Sequence, residues 1–429
     1  MNQRHRALLG TLLDGDLSEV TVDGRTARRN RRHCGLTWEQ LTQHTVILGG
    51  TGTGKTVTQL RLAQAVMALD DANPCEPRTR ILFLDAKGLP DGNRELFTDL
   101  AGARDRTTRQ WPAEPLDGFT GTQAQLRERL SGLWNADESP FHHAEAVTLL
   151  DLALGADPTP TTLQGLLDRV RPGRTAAAYE SQATPEGLHL KVEAAAFTST
   201  QWTSLYLRLR ALQATVGRTL DAGPGSWNLR TTDTAWISIP GTSAPQAAAD
   251  TAAWLLRLLS ELATDPDHTR TLVFLDEFSA IGYDQRASRA AASLVERTRA
   301  AGLALVLGTQ TTASLGEAAP RVLQTAGTVI AHRSPAPEDI VNLAGTIPVW
   351  EDAHRIGPFG QRMAESGRLQ SQFRVSPDLL RCLPAGQAVL IRAGRWAHLA
   401  IAQPELPTVL GEHTLPAQHR MVEQTQAAR

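Results

Sequence analysis

Short apolar runs recur along the chain, and most are followed by a stretch in which apolar residues return every three or four positions. Such runs are typical of buried strands, and the stretches that follow are typical of helices with one apolar face. The apolar runs lie at 44–49, 79–85, 234–240, 271–278, 303–310 and 327–333. The predicted helices between them include 57–69, 246–263 and 286–301. This alternation predicts an α/β fold with a predominantly parallel sheet covered by helices.

One long segment interrupts the alternation. From about 126 to 219, helical patterns follow one another between prolines and glycines without a strong strand pattern, which predicts an inserted all-α domain. Residues 386–402 predict a closing hairpin that turns at Ala393 and Gly394. The predicted organisation is a polar, basic N-terminal arm (1–40), the first part of the α/β domain (41–125), the all-α insertion (126–225), the second part of the α/β domain (226–410) and a polar tail (411–429).

The predicted N-terminal arm contains an arginine-rich run, GRTARRNRRH, at residues 24–33. One interpretation is a solvated arm, and the other is a basic patch that contacts nucleic-acid phosphate or anionic lipid. The sequence leaves both open.

Composition narrows the classes of protein that fit. The 429 residues are 41% hydrophobic and 21% charged, as in folded globular proteins, and a net charge of −2 gives no overall attraction to nucleic acid. No apolar run approaches the ~18–20 residues of a membrane-spanning helix. The three cysteines are far apart and match no metal or disulfide spacing, so we expect a protein of the reducing cytoplasm.

The first apolar run leads into a glycine-rich sequence, GGTGTGKT, which holds one of the three lysines among 43 basic residues. The spacing G-x-x-x-x-G-K-T, between a predicted strand and a predicted helix, is that of the phosphate-binding P-loop. Glycines let backbone N–H groups wrap a phosphate, and a compact ammonium fits this cradle better than a planar guanidinium. The predicted phosphate-binding residues are Gly49, Gly50, Thr51, Gly52, Thr53, Gly54, Lys55 and Thr56.

Two carboxylates, Asp276 and Glu277, follow another apolar run at the carboxyl edge of the predicted sheet, where open α/β sheets bind ligands. Beside a P-loop, Asp276 and the Thr56 hydroxyl are expected to hold Mg²⁺, and Glu277 to orient and deprotonate the attacking water. Gln310 ends the next run, where it is placed to sense the γ-phosphate or to position that water. Together these residues predict an enzyme that hydrolyses ATP with Mg²⁺.

Four other polar residues near strand ends are open to two interpretations. Asp85 and Lys87, the second lysine, either face the nucleotide site or belong to an ordinary turn after a strand. Arg299 and Arg333 either reach the γ-phosphate of a neighbouring subunit as an arginine finger, or lie there by chance in a chain with 40 arginines.

The order of these motifs resembles that of a known family. GGTGTGKT, LFLDAKG, a helical insertion opening at SPFHHAEA, VFLDEFSAIG, RTRAAGLALVLGTQ and AGTVIAHRSPAPEDIVNLAG, over about residues 40–400, resemble TraG/TraD-like coupling proteins of conjugation and type IV secretion. These belong to the FtsK/HerA-like group of ring ATPases. The resemblance implies a RecA-like domain with an all-α insertion, a hexameric ring, and ATP-driven transfer of DNA, usually single-stranded, with an attached relaxase.

The resemblance also implies roles for individual residues. Lys55 and Thr56 become the P-loop pair, Asp276 and Glu277 the Walker-B pair, and Gln310 the sensor. Arg299 matches the R-x-x-G arginine ahead of the sensor strand and becomes the first choice for the finger in trans, with Arg333 second. Asp85 and Lys87 match the family's D-x-K-G, whose role stays open.

Two departures from the family pattern matter. Most coupling proteins carry N-terminal transmembrane helices, and no such segment is recognised here, so we expect a cytoplasmic protein that is either recruited to the inner face of the membrane by a partner or a soluble variant. Because the net charge is not basic, contacts with DNA must come from local residues of the insertion and pore loops. The expected partners are DNA, a relaxase or relaxosome and the type IV secretion channel.

Two alternatives stay open. One is an FtsK-like motor on double-stranded DNA, although GTQTTASL follows the sensor strand where FtsK-like motors usually show an arginine-proline pair. The other is a nucleotide-operated adaptor that docks to a secretion apparatus with little processive movement.

Overall fold

The computed structural model describes residues 6–15, 17, 21–22, 32–88, 92–134, 139–182, 184–217, 226–264, 269–298, 301–356 and 362–406. Its strands are β1 (Arg6–Gly15), β2 (Thr21–Val22), β3 (Arg32–Thr37), β4 (Thr45–Leu48), β5 (Arg80–Asp85), β6 (Thr108–Trp111), β7 (Thr234–Ser238), β8 (Thr271–Asp276), β9 (Leu303–Thr309), β10 (Thr328–Ala331), β11 (Thr346–Ile356), β12 (Arg362–Phe373), β13 (Gln387–Arg392) and β14 (Arg395–Ile401). Its helices are α1 (Trp38–Leu41), α2 (Lys55–Ala72), α3 (Asn93–Gly102), α4 (Gln123–Ser131), α5 (Pro140–Gly155), α6 (Leu163–Arg169), α7 (Arg174–Glu180), α8 (Pro185–Ala196), α9 (Ser199–Val216), α10 (Pro245–Ala263), α11 (Gln285–Arg297), α12 (Ala319–Thr325), α13 (Glu338–Ala344) and α14 (Pro377–Cys382).

Within the described residues, twelve strands form one sheet in the order β2-β3-β1-β14-β13-β10-β4-β9-β8-β5-β7-β6. The strands from β10 to β6 run parallel and are called the parallel half. The strands from β2 to β13 pair antiparallel and are called the antiparallel half, which joins β10 through β13. Six of the eleven neighbouring pairs in this described sheet are parallel, which confirms the predicted α/β class with a predominantly parallel sheet.

The central parallel strands are buried on both faces. Strands β4, β5, β8 and β9 are buried at every position, which explains why their sequences are continuous apolar runs rather than alternations. On one face, Leu60 and Met67 of α2 join a core that includes Phe83 and Trp236, whose rings stack 4.2 Å apart between centroids. On the other face, α10 and α11 cover the sheet. Burial of each such large apolar side chain contributes about 1.5–3 kcal/mol.

Six helices, α4 to α9, follow one another between β6 and β7, with no strand among the described residues of this segment. These helices do not form a core of their own. Leu150 and Leu209 belong to the same hydrophobic cluster as Trp254 of α10 and Leu294 of α11. The predicted domain boundaries stay a prediction, but the helical segment and the α/β layers share one continuous core. None of the described helices is both long enough and apolar enough to cross a membrane.

The N-terminal residues differ from the predicted solvated arm. Strand β1 pairs with β3 on one side and with β14 on the other, and Ala7 and Leu9 are fully buried. In RALLG every residue except Leu8 is buried, so the start of β1 lies inside the sheet and shows no alternation that the sequence could have revealed. The arginines from Arg25 to Arg31 lie outside the described residues, so the basic-patch interpretation stays a prediction. The predicted tail, 411–429, lies outside them too.

Two antiparallel pairs complete the structure. The predicted closing hairpin is confirmed as β13 and β14, and its turn places Ala393 and Gly394 at φ values of 51° and 70°. The sequence did not predict the second pair, the ribbon of β11 and β12. Its Trp350 and Leu369 lie opposite each other and are 61% and 67% exposed, so no buried apolar face marked these strands in advance.

Candidate active site

The predicted site residues follow strands that are neighbours in the parallel half. Leu48 at the end of β4 lies in register with Thr309 of β9 and with Ala331 of β10. Asp85 at the end of β5 lies in register with Asp276 at the end of β8. Because all these strands run in one direction, the segments that follow them meet at one edge of the sheet.

The glycine-rich sequence forms a loop between β4 and α2. Gly49, Gly52 and Gly54 have φ values of 150°, 72° and 110°, a region that favours glycine. At Gly49 a side chain would also collide with the next strand, since a Cβ there would lie 2.7 Å from the Cβ of His332. Thr51 and Gly52 are exposed at the tip of the loop. The loop therefore opens towards solvent directly before α2, whose N-terminus attracts anions.

Lys55 is the first residue of α2, and its side chain folds back over the loop. Its Nζ donates to the carbonyls of Gly49 and Gly50 at 2.8 and 3.1 Å, and the residue is only 6% exposed. Burial lowers the pKa of Lys55, an effect opposed by the nearby carboxylates of Glu277 and Asp276. Gly50 is also fixed by the segment after β10, because its N–H donates to the Arg333 carbonyl at 3.0 Å. The ammonium is thus fixed inside the loop that the sequence predicts to bind phosphate.

Thr56 and Asp276 are brought together as predicted. The Thr56 hydroxyl donates to Asp276 Oδ2 at 2.7 Å, and Asp276 is only 1% exposed. A hydroxyl that donates its proton to a carboxylate keeps its lone pairs for a cation, and hydroxyl and carboxylate oxygens are ligands that Mg²⁺ prefers. These two residues therefore fit Mg²⁺ by their chemistry and their arrangement.

Glu277 and Gln310 are in direct contact. Glu277 Oε1 accepts a hydrogen bond from Gln310 Nε2 at 2.6 Å and another from Ser279 Oγ at 2.5 Å. The backbone of Glu277 is left-handed, with φ 52° and ψ 49°, which costs a non-glycine residue roughly 1–2 kcal/mol. This conformation turns the chain at the end of β8, and the two hydrogen bonds fix the carboxylate. A carboxylate held in this way is suited to orient a water molecule and accept its proton.

The remaining predicted residues take different positions. Asp85 is buried, and its Oδ1 accepts the N–H of Lys87 at 3.0 Å, which fixes the turn after β5. Lys87 does face the site, with its Nζ 3.2 Å from Asp276 Oδ2. Burial by itself would lower the pKa of Lys87, but the carboxylates of Asp276, Glu277 and Asp85 together outweigh it and the pKa is raised. Arg333 contributes its carbonyl to the loop, and its side chain is exposed. Arg299 lies outside the described residues.

Sequence reasoning missed His332, which lies under the loop. It is fully buried and links two elements, since its Nδ1 lies 2.9 Å from the Gln387 carbonyl and its Nε2 lies 2.9 Å from Thr58 Oγ1. Burial lowers the pKa of His332 to about 4, with a smaller contribution from the charge of Lys55. The ring is therefore neutral at pH 7, with Nδ1 donating to the carbonyl and Nε2 accepting from the hydroxyl. Its place after β10, at the edge shared by the other site residues, was the available signal.

The similarity of this chain to known proteins is a similarity of structure. No family model matches the sequence, and no curated protein matches it. Among solved structures, the bacterial conjugative coupling protein TrwBdeltaN70 is similar over 95% of this chain and 96% of its own, with a TM-score of 0.59 and 16% identity. The chain has the fold of that coupling protein. The resemblance carried by the motifs is confirmed at the level of fold.

Two further structures support the same fold. The plasmid coupling protein TrwB in complex with ADP and Mg²⁺ covers 94% of this chain and 97% of its own, with a TM-score of 0.55 and 14% identity. VirB4 of Thermoanaerobacter pseudethanolicus covers 94% and 98%, with a TM-score of 0.56 and 14% identity. The RecA-like P-loop fold therefore extends over nearly the whole chain.

Proposed function

We propose that this chain is a type IV secretion coupling ATPase, which hydrolyses ATP with Mg²⁺ to move DNA. The observation that carries the proposal is the joined network at one edge of the sheet. Lys55 is held in the loop, the Thr56 hydroxyl is bonded to Asp276, and Glu277 is bonded to Gln310. Phosphate binding, metal binding and water activation thus have residues in contact with one another, on the fold of a coupling protein.

The chain's own residues divide the work of hydrolysis. The loop N–H groups and Lys55 bind the phosphates and neutralise their charge. Thr56 and Asp276 would hold Mg²⁺, which, when bound, neutralises developing charge on the phosphate oxygens. Glu277 orients the attacking water and takes its proton, while Gln310 keeps the carboxylate aimed. Such general-base catalysis typically contributes about 10²–10⁴-fold in rate.

The finer parts of the proposal concern assembly and cargo. A hexameric ring would let Arg299 reach the nucleotide of the next subunit, with Arg333 as the second choice. The cargo would be DNA, single-stranded in the leading hypothesis, delivered with a relaxase or relaxosome to a type IV secretion channel. The likeness to TrwB, a conjugative coupling protein, supports this choice over the alternatives.

The test is ATP hydrolysis by the purified protein, alone and with single- or double-stranded DNA, beside Lys55→Ala. We expect hydrolysis that single strands stimulate and that Lys55→Ala abolishes, because phosphate binding loses its cation. Stronger stimulation by duplex DNA would favour the FtsK-like alternative. Nucleotide binding with no hydrolysis under any DNA condition would favour the adaptor, and no nucleotide binding at all would refute the proposal.

A further inference from the structure

A second ammonium group lies in the proposed metal site. Lys87 Nζ is 3.2 Å from Thr56 Oγ1 and 3.2 Å from Asp276 Oδ2. These are the two oxygens that the proposed function gives to Mg²⁺, and the inference rests on that function. Lys55 already supplies the phosphate-binding cation, so Lys87 has no role in the division of work described above.

The loop after β5 fixes the backbone of Lys87. The N–H of Ala86 donates to the Asp276 carbonyl at 3.1 Å, and the N–H of Lys87 donates to Asp85 Oδ1 at 3.0 Å. Gly88 has a φ of +63°, and a Cβ there would lie 2.6 Å from a carbonyl oxygen of the segment after β7. The loop is therefore anchored to β8 and to the segment after β7, so a response of Lys87 to a ligand is confined to its side chain.

The carbonyl groups of this loop are held as closely as its N–H groups. Thr242 Oγ1 donates to the Lys87 carbonyl at 3.0 Å. At Gly241 a Cβ would lie 2.1 Å from the Ala86 carbonyl oxygen and 2.8 Å from the Cβ of Ala280, in the turn that follows Glu277. The loop thus lies between the segment after β7 and the turn that follows Glu277, and the Lys87 side chain extends from it to Thr56 and Asp276.

Lys87 and Mg²⁺ would compete for the same two oxygen atoms. Mg²⁺ holds its oxygen ligands at ~2.0–2.1 Å and needs their lone pairs. The Lys87 ammonium donates to the same two oxygens, and two cations that share them repel each other across a partly buried site. A lysine suits this position because its flexible stem lets the ammonium withdraw, whereas a guanidinium forms a broader, planar contact.

We propose that Lys87 is a positioning residue that competes with the divalent cation for Thr56 and Asp276. Its ammonium neutralises Asp276 and keeps the two ligands together, and it withdraws when the metal–nucleotide complex enters. Lys87 therefore sets how strongly nucleotide binding depends on Mg²⁺. A purely structural ion pair between the β5 loop and β8 predicts the opposite, because its loss would misplace the metal ligands and weaken that dependence.

The experiment measures ADP binding, not activity, in the full chain. The dissociation constant of a fluorescent ADP is determined in EDTA and in saturating Mg²⁺. The constant in EDTA divided by the constant in Mg²⁺ is then compared between wild type and Lys87→Met. We expect the ratio to rise about tenfold in the variant, since ADP binding without metal loses a cation and binding with metal loses a competitor. Lys87→Arg keeps a positive charge in the site and withdraws less readily, so its ratio is expected to stay at or below that of wild type.

Two controls keep the outcome interpretable. Lys191→Met removes the third lysine, whose Nζ pairs with Glu180 at 2.9 Å on the surface, and should leave the ratio unchanged. Lys87→Gln replaces Lys87→Met if thermal unfolding shows that the methionine variant does not fold. An unchanged or smaller ratio in the neutral variant, with ADP binding intact in wild type, overturns this inference alone. Failure of wild type to bind ADP overturns the proposed function and the inference together.

Discussion

The two halves of the sheet are joined by hydrogen bonds and both contain buried residues, but different residues lie at the ends of their strands. In the parallel half, β4, β5, β8 and β9 end at the same edge, and Lys55, Lys87, Asp276 and Gln310 follow them. In the antiparallel half, neighbouring strands end at opposite edges, and the described residues of these strands include none of the residues predicted for the nucleotide site. A common strand direction therefore gathers chemistry from distant parts of the chain, which antiparallel pairing cannot do.

The antiparallel half still supports the site from outside. The backbone carbonyl of Gln387, the first residue of β13, accepts a hydrogen bond from His332, which in turn lies under the proposed phosphate-binding loop. The parallel half thus carries the proposed reacting groups, and the antiparallel half supports one of their neighbours. This difference makes the effects of substitutions separable.

The largest expected effect is on the rate in the parallel half. Glu277→Gln keeps the size of the side chain and removes the base, so ATP hydrolysis should fall by about 10²–10⁴-fold while nucleotide affinity stays near wild type. Single-turnover hydrolysis and equilibrium binding measure the two quantities. If hydrolysis persists at near the wild-type rate, Glu277 is not the base.

The next effect is on stability, at the junction of the halves. An unfolded histidine takes up a proton near pH 6.5, whereas His332 in the folded chain stays neutral until about pH 4. Between these values the unfolded chain binds more protons, so the free energy of unfolding falls as the pH drops, by up to about 3 kcal/mol. Above pH 6.5 this contribution is constant. Denaturant unfolding at several pH values should show a shallower slope in His332→Gln, and equal slopes would contradict the assignment.

The smallest effect compares one glycine from each half. A Cβ at Gly308 of β9 would lie 2.2 Å from Gln59 Nε2 and 3.0 Å from Asp276 Oδ1, and Gln59 is fully buried, so its amide would have to shift within the core. Gly308→Ala should cost about 1–3 kcal/mol and weaken Mg²⁺-dependent ADP binding. Gly394→Ala, in the exposed hairpin turn at φ +70°, meets no neighbour and should cost about 1 kcal/mol with ADP binding unchanged. Equal effects on ADP binding would remove the distinction between the halves.

The sequence predicted the parallel half well, apart from the edge strand β6, because each buried strand is an unbroken apolar run and each ends in a polar motif. β5, β8 and β9 begin and end within a residue or two of the predicted runs. The antiparallel half was harder to predict from sequence, since apolar and polar residues do not alternate along β1 and arginines lie beside it. The ribbon of β11 and β12 escaped prediction because its apolar side chains are exposed.

The candidate site was predictable where a spacing carries a mechanism, and not where a role depends on a distant partner. Lys55 and Asp276 belong to motifs that can be recognised one strand at a time. His332 and Lys87 acquire their roles from Gln387 and from Thr56, which lie 55 and 31 positions away in the chain. No local pattern reports such contacts, because they depend on the pairing of β10 with β13 and on the order of β4, β9, β8 and β5 in the sheet.

The three lysines of this chain have one more consequence, for chemical labelling. Reagents that acylate amines find three side-chain amines in the sequence, and two of them, Lys55 and Lys87, lie in the proposed nucleotide site. The third, Lys191, is on the surface with its side chain 35% exposed. A mass spectrum of the acylated protein would therefore report occupancy of the site against an internal reference, without any engineered probe.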